Sequence, residues 1–168
     1  MMFCSIAARP ARVMAAIAAL CVGLLAFGMY LQHVVGLEPC PMCIVQRYAL
    51  LLVGLVALAG ALVKGRGARL GLQALVVVLC GLGAFVAARQ SFLQWYPPEV
   101  ATCGRDLYGM IESFPLQRVI PMVFKGSGDC SAVDWTFLGL TIANWSFLNF
   151  VFIAAVTVML LWCNKKRS

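Results

Sequence analysis

Charge is what this chain has least of. Asp, Glu, Lys and Arg make up 11% of its 168 residues, against 63% hydrophobic, and a soluble domain could hardly keep a water-facing surface on that balance. Acids are scarcer than bases: Glu38, Glu99, Asp106, Glu112, Asp129 and Asp134 are all there are. Histidine occurs once, as His33, and is read as a solvated interfacial side chain. No internal repeat or low-complexity stretch is present. The net charge of +7 would raise nucleic acid as a partner for a soluble protein, but the placement of the bases argues otherwise, and no nucleic-acid partner is expected.

What the chain has instead is long apolar runs. A spanning helix needs about 20 predominantly apolar residues, and four stretches approach that length: 13–31, 44–63, 70–88 and 147–163. Only Arg47 interrupts them. The expectation is an all-α membrane protein, a single domain over 1–168 built as a bundle of four transmembrane helices. Arg9 and Arg12 precede the first span, Lys64, Arg66 and Arg69 fill the second connection, and Lys165, Lys166 and Arg167 follow the last. The positive-inside rule makes these places cytoplasmic, both termini included. All the acids fall in the first and third connections, 32–43 and 89–146, which an even number of crossings puts together on the periplasmic side. The first run is longer than a signal-peptide core, and Gln32-His33-Val34-Val35 offers no small-residue cleavage site, so a retained helix is expected.

The second connection, Lys64 to Arg69, contains Gly65 and Gly67, which suit a tight reversal between antiparallel helices. Gly54, Ala57, Gly60 and Ala61 on one side, and Gly81, Gly83, Ala84 and Ala87 on the other, permit close packing in lipid. The third connection is a long loop, and loops of that length are usually functional or disordered. Its segment from Met110 to Phe124 is too apolar for free loop and too interrupted by Pro115 and Pro121 to cross a bilayer. A segment lying in the membrane interface is expected.

The eight cysteines sort by depth. Cys4 and Cys163 lie on the cytoplasmic side, where thiols are kept reduced. Cys21 and Cys80 lie within spans, as small buried hydrophobes. Cys40, Cys43, Cys103 and Cys130 map to the oxidising side, two from each connection. Cys40-Pro41-Met42-Cys43 is a Cys-x-x-Cys motif at the start of the second helix, where unpaired N–H groups and the macrodipole favour a thiolate. Arg47 follows Cys43 by four residues, one turn deeper on the same face. An arginine there either snorkels to the headgroups or favours a charged sulfur and polarises an acceptor beside it; next to a Cys-x-x-Cys the second reading is preferred. Such a motif serves redox chemistry or zinc. Four thiolates could close on one zinc, but the interval from Cys103 to Cys130 lacks a second ligand knuckle and the compartment is oxidising, so no metal is expected.

Four motifs then carry a resemblance: Cys40-Pro41-Met42-Cys43-Ile44-Val45-Gln46-Arg47, Tyr96-Pro97-Pro98-Glu99-Val100-Ala101-Thr102-Cys103, Gly126-Ser127-Gly128-Asp129-Cys130, and Trp135-Thr136-Phe137-Leu138-Gly139-Leu140 with Trp145 beyond it. In their order and separation they resemble the disulfide bond formation protein B (DsbB) family over almost the whole chain. The resemblance implies a quinone-dependent thiol oxidase of the bacterial inner membrane, supporting disulfide formation in periplasmic proteins. It implies that the pair Cys103 and Cys130 oxidises a soluble DsbA-type thioredoxin-fold partner. It implies too that Cys40 and Cys43 reoxidise that pair, and that electrons leave from Cys43 to ubiquinone or menaquinone in the membrane pool, with Arg47 assisting at the quinone. The physiological role, an oxidase–quinone device that keeps the periplasm oxidising, comes with the resemblance. The chain departs from the family pattern at Gln46, where an acid can stand, and at Gln90, where a histidine can.

Two rivals share some of these features. A vitamin K epoxide reductase-like protein also combines a helical bundle, a Cys-x-x-Cys and a quinone, but usually carries the motif late in the chain. A structural membrane protein stapled by two disulfides would keep them oxidised in cells lacking quinone, whereas relay cysteines would accumulate reduced. The topology has its own test: reporter fusions after Lys64 and at the C-terminus should score as cytoplasmic and one near Gly126 as periplasmic, and the opposite pattern overturns the sorting of the cysteines.

Overall fold

A computed structural model of the chain describes residues 9–37, 39–97, 133 and 135–166. Cys103, Cys130, the expected interfacial segment 110–124 and all six acidic residues lie outside them. The described chain is four helices and one small hairpin: α1 Pro10–His33, α2 Pro41–Leu62, α3 Arg66–Trp95, β1 Thr136–Phe137, β2 Leu140–Thr141 and α4 Ile142–Lys166. Each of the four helices is long and apolar enough to cross a membrane. The shortest, 22 residues, extends about 33 Å at 1.5 Å per residue, against a hydrocarbon core of about 30 Å.

Each helix packs on its neighbour in sequence, α1 on α2, α2 on α3 and α3 on α4. Contacts fix the directions as antiparallel: Gly60 near the end of α2 faces Met14 near the start of α1, and Gly54 faces Cys21. The core is a column of mostly small side chains, Ala18, Cys21, Val53, Ala57, Val76 and Cys80, closed by Met14, Phe150 and Ile153. Cys21 and Cys80 are fully buried there. Outward go the larger ones, among them Leu55, Leu82, Phe85 and Phe152, each more than half exposed. That inverts a soluble protein and suits a solvent of lipid tails, in which close packing of small residues, not apolar area, holds helices together.

Both ends of the third connection differ from expectation. The third span does not stop at Ala88: α3 continues to Trp95. The fourth does not wait for Phe147: α4 begins at Ile142. The connection expected over 89–146 is shorter by those helical residues. An apolar run ends at its first charge, but a helix need not; Arg89 lays its guanidinium 5.8 Å from the Phe92 ring centroid, a cation–π contact that keeps a charge on a helix at low cost. At the other end the Thr141 hydroxyl accepts the Asn144 N–H at 3.4 Å, capping α4 ahead of its apolar stretch. The reversal between α2 and α3 is also tighter than Lys64–Arg69, since α3 starts at Arg66. Arg69 donates from Nε to the Gly60 carbonyl at 3.2 Å and from Nη2 to that of Val63, satisfying the last carbonyls of α2.

Cys163 is disulfide-bonded, not the reduced thiol expected from a cytoplasmic position.

Of the small residues expected at helix contacts, Gly83 and Ala87 are buried, and Gly81 is not: it points to open space. A Cβ at Gly83 would lie 2.5–2.8 Å from the Phe150 ring, which must then move. Gly83→Ala should therefore destabilise the bundle by about 1–3 kcal/mol. Gly81→Ala should be neutral or stabilising by up to about 1 kcal/mol through helix propensity. Thermal unfolding of the two variants in detergent checks the contrast, and equal melting temperatures contradict the packing described.

Candidate active site

The site begins with a helix start. Pro41 occupies the first turn of α2, where its missing N–H is not needed and its fixed φ favours the helix. Cys40 is thereby the N-cap, and its Sγ accepts the backbone N–H of Cys43 at 3.2 Å. The cap draws the two thiols of the motif together: their sulfurs lie 2.7 Å apart, closer than a van der Waals contact but longer than the bond near 2.04 Å of a disulfide. Cys40 is buried and Cys43 half-buried, with Met42 and Leu93 packed about them.

Four glutamines surround the motif. Gln46, one turn deeper on α2, donates Nε2 to Oε1 of Gln90 on α3 at 2.6 Å. The Gln90 Nε2 in turn lies 3.3 Å from both cysteine sulfurs. Gln32 on α1 accepts from Arg47 Nη1 at 2.5 Å, and the Gly28 carbonyl accepts from Arg47 Nη2 at 3.0 Å. Gln94 accepts the Thr141 hydroxyl at 2.7 Å, tying the last turn of α3 to the start of α4. Arg47 thus does not snorkel away to solvent; it is half-buried and fastened to α1. A Cβ on Gly28 would lie 3.5 Å from the guanidinium, so a small residue lets the arginine lie against the helix backbone.

These groups line a cavity of about 570 Å³, which Cys40, Cys43, Gln46, Arg47 and Gln90 share with Leu24, Leu31, Leu50 and Phe150. Its far wall is aromatic. The hairpin turns through Leu138 and Gly139, both at positive φ, the pattern of a two-residue type I′ turn. It brings Phe137 flat against Trp135, with ring centroids 6.0 Å apart and planes 9° apart. Phe27 meets Trp135 edge-on at 6.2 Å, and Trp145 donates its indole N–H to the Phe137 carbonyl at 3.1 Å. The volume falls in the range of small-molecule sites, apolar with a few placed polar groups.

Three residues singled out from the sequence, Cys40, Cys43 and Arg47, thus meet at one cavity. Cys103 and Cys130 lie outside the described residues. His33 is exposed and does not line the cavity. Gln46 and Gln90 entered the sequence reading only as departures from a pattern, yet both are almost wholly buried, at 5% and 3% exposure, against the sulfurs. The signal that finds them is cost: an amide buried in an apolar span demands a partner.

Comparison with known proteins agrees with this geometry. Residues 10–160 match the protein family described as disulfide bond formation protein DsbB. A disulfide bond formation protein B from Polaromonas sp. strain JS666 is 70% identical over 92% of this chain and 92% of its own length. That of Paracidovorax citrulli is 65% identical over 92% of this chain and 88% of its own, and that of Azoarcus sp. strain BH72 is 54% identical over 90% and 92%. With four spanning helices, a Cys-x-x-Cys at the start of the second and identity of this extent along nearly the full length, the chain belongs to the DsbB family of disulfide bond formation proteins.

Proposed function

We propose that this protein is a thiol oxidase of the bacterial inner membrane that reoxidises a DsbA-type thioredoxin-fold partner and delivers the electrons to membrane quinone, ubiquinone or menaquinone. The observation that carries the reading is the cavity: two cysteine sulfurs and one guanidinium open on the same apolar, aromatic-walled space. That lining suits a flat apolar ring with carbonyl acceptors. Arg47 has five N–H donors, and the described partners engage two of its nitrogens, so further N–H groups are left to polarise a carbonyl. Phe27, Trp135 and Phe137 would flank the ring, and a quinone bound there supplies a sink for the two electrons and two protons that a dithiol releases.

The protein's own residues act by thiol–disulfide exchange, in which a thiolate attacks one sulfur of a disulfide and the other leaves as thiolate. In the proposed order a partner thiolate attacks Cys103 of the Cys103–Cys130 disulfide and Cys130 leaves. The partner's second thiolate then releases Cys103 and completes the partner's disulfide. Cys130 attacks Cys40 of the Cys40–Cys43 disulfide and Cys43 leaves as a thiolate facing the cavity; Cys103 attacks Cys130, frees Cys40 and restores the Cys103–Cys130 disulfide. Position at the N-terminus of α2 favours the leaving thiolate. The orientation that suits this work places both termini in the cytoplasm and all four cysteines in the periplasm.

Substitutions separate the steps. Mixed with the oxidised partner, Cys130→Ser should accumulate partner on Cys103 as a mixed disulfide, visible on non-reducing gels: the Cys103 thiolate attacks the partner's disulfide, one partner sulfur leaves as thiolate, and the Cys130 thiol that competes for Cys103 and carries the relay onward is lost. Cys43→Ser should retain exchange at Cys40 and abolish quinone reduction. Arg47→Ala should leave exchange between the cysteines intact while raising the apparent quinone requirement about tenfold or more, the scale of one charge-assisted hydrogen bond. Rapid quinone reduction by Cys43→Ser, or a partner adduct mapped to Cys40, contradicts the order.

A further inference from the structure

We propose that the Gln46–Gln90 amide pair is a thiolate clamp: Gln90 donates one N–H to each sulfur of the Cys40–Cys43 motif, and Gln46 sets the direction in which that amide faces. The inference rests on the reading of Cys40 and Cys43 as the redox pair. Gln90 Nε2 stands 3.3 Å from Cys40 Sγ and 3.3 Å from Cys43 Sγ, and a carboxamide nitrogen carries two N–H donors. One amide thus serves both sulfurs, whichever of them bears the charge.

An amide can face either way, and Gln46 decides. Its Nε2 donates to Gln90 Oε1 at 2.6 Å, so the acceptor end of Gln90 is occupied and the donor end turns to the sulfurs. Reversed, the Gln90 oxygen would face a thiolate and two N–H donors would face one another. Burial of Gln46 and Gln90 to 5% and 3% exposure keeps water from replacing these bonds and strengthens each electrostatically. A carboxamide has no proton to lose in the working pH range, so the donor persists whether the surroundings are acidic or neutral. Gln90 is accordingly a catalytic residue, since it touches the reacting sulfurs; Gln46 is a positioning residue acting through it.

The test reads thiolate directly. The purified full-length protein is chemically reduced in detergent, alkylated with iodoacetamide across a pH series, and the rates at Cys40 and Cys43 are resolved by peptide mass spectrometry. Gln90→Met, similar in shape but without a donor, should slow alkylation at Cys43 about tenfold at pH 7, the scale of one hydrogen bond to a charged group. The rate plateau at high pH should stay unchanged, so the whole profile moves to higher pH. Gln46→Met, which leaves the donor but frees its direction, should shift the profile the same way by less, about threefold at pH 7. Gln90→Glu keeps the shape and adds an anion beside the sulfurs; it should slow the reaction more than Gln90→Met and decides the matter if the apolar variant does not fold. Profiles that superimpose on the parent in Gln90→Met or Gln90→Glu overturn the clamp. A purely structural role would change melting temperature and leave the pH profile in place. Because alkylation needs only the reduced protein, the outcomes separate: superimposed profiles with normal quinone reduction remove the clamp alone, and a shifted profile in a protein that never reduces quinone removes the relay alone.

Discussion

A polar side chain inside an apolar bundle has to find its hydrogen bonds within the protein, because lipid offers none. That constraint organises one end of this molecule. Gln32, Arg47, Gln46, Gln90, Gln94 and Thr141 each reach a partner on a different helix or helix start, so the same bonds that relieve burial fasten α1 to α2, α2 to α3, and α3 to α4. The Cys-x-x-Cys sits within this net. Its cap bond is local, from Cys43 N–H to Cys40 Sγ, but the environment of the sulfurs is set by α3 through Gln90. At the opposite end Arg66 donates to the Asn164 carbonyl and Asn164 Nδ2 to Gln73 Oε1 at 3.4 Å, Arg69 holds the last carbonyls of α2, and small residues in close contact bring the helices together.

Gly60 packs against Met14 and Gly83 against Phe150, whereas the glutamines and Arg47 line a cavity of about 570 Å³. The hairpin before α4 closes one wall of that space with Trp135 and Phe137, and Trp145 secures it from α4. The sulfurs thus border a cavity walled by the same polar side chains that tie the helices together.

Much of this was legible in the sequence. Hydropathy alone marks four spans, since apolar runs of about 20 residues fit a spanning helix and exceed a spanning strand, and the position of Pro41 marks the start of α2 and with it the cap role of Cys40. Arg47 was legible as well, one turn below Cys43. The ends of α3 and α4 were not, because an apolar-run criterion stops at Arg89 and at the polar Asn144-Trp145-Ser146, while a cation–π contact from Arg89 to Phe92 and a cap from Thr141 to Asn144, each between residues three apart, are local signals that hydropathy does not read. Gln90 fell within the expected loop for that reason. Which of the small residues face a neighbour was likewise partly hidden: Gly81 and Gly83 lie two apart, on different faces, and only the second meets Phe150.

In the proposed reaction, dithiol electrons leave this protein to quinone at the Cys43 end of the cavity. Its most direct test is a stoichiometry: the purified full-length protein, a reduced thioredoxin-fold dithiol protein and a short-chain ubiquinone are mixed without oxygen, and quinol and protein disulfide are measured together. One quinol is expected for each dithiol oxidised, with no oxidation when quinone is omitted beyond the disulfides the protein brings with it. Continued dithiol oxidation without quinol, or quinone left untouched in the presence of reduced partner, would contradict it.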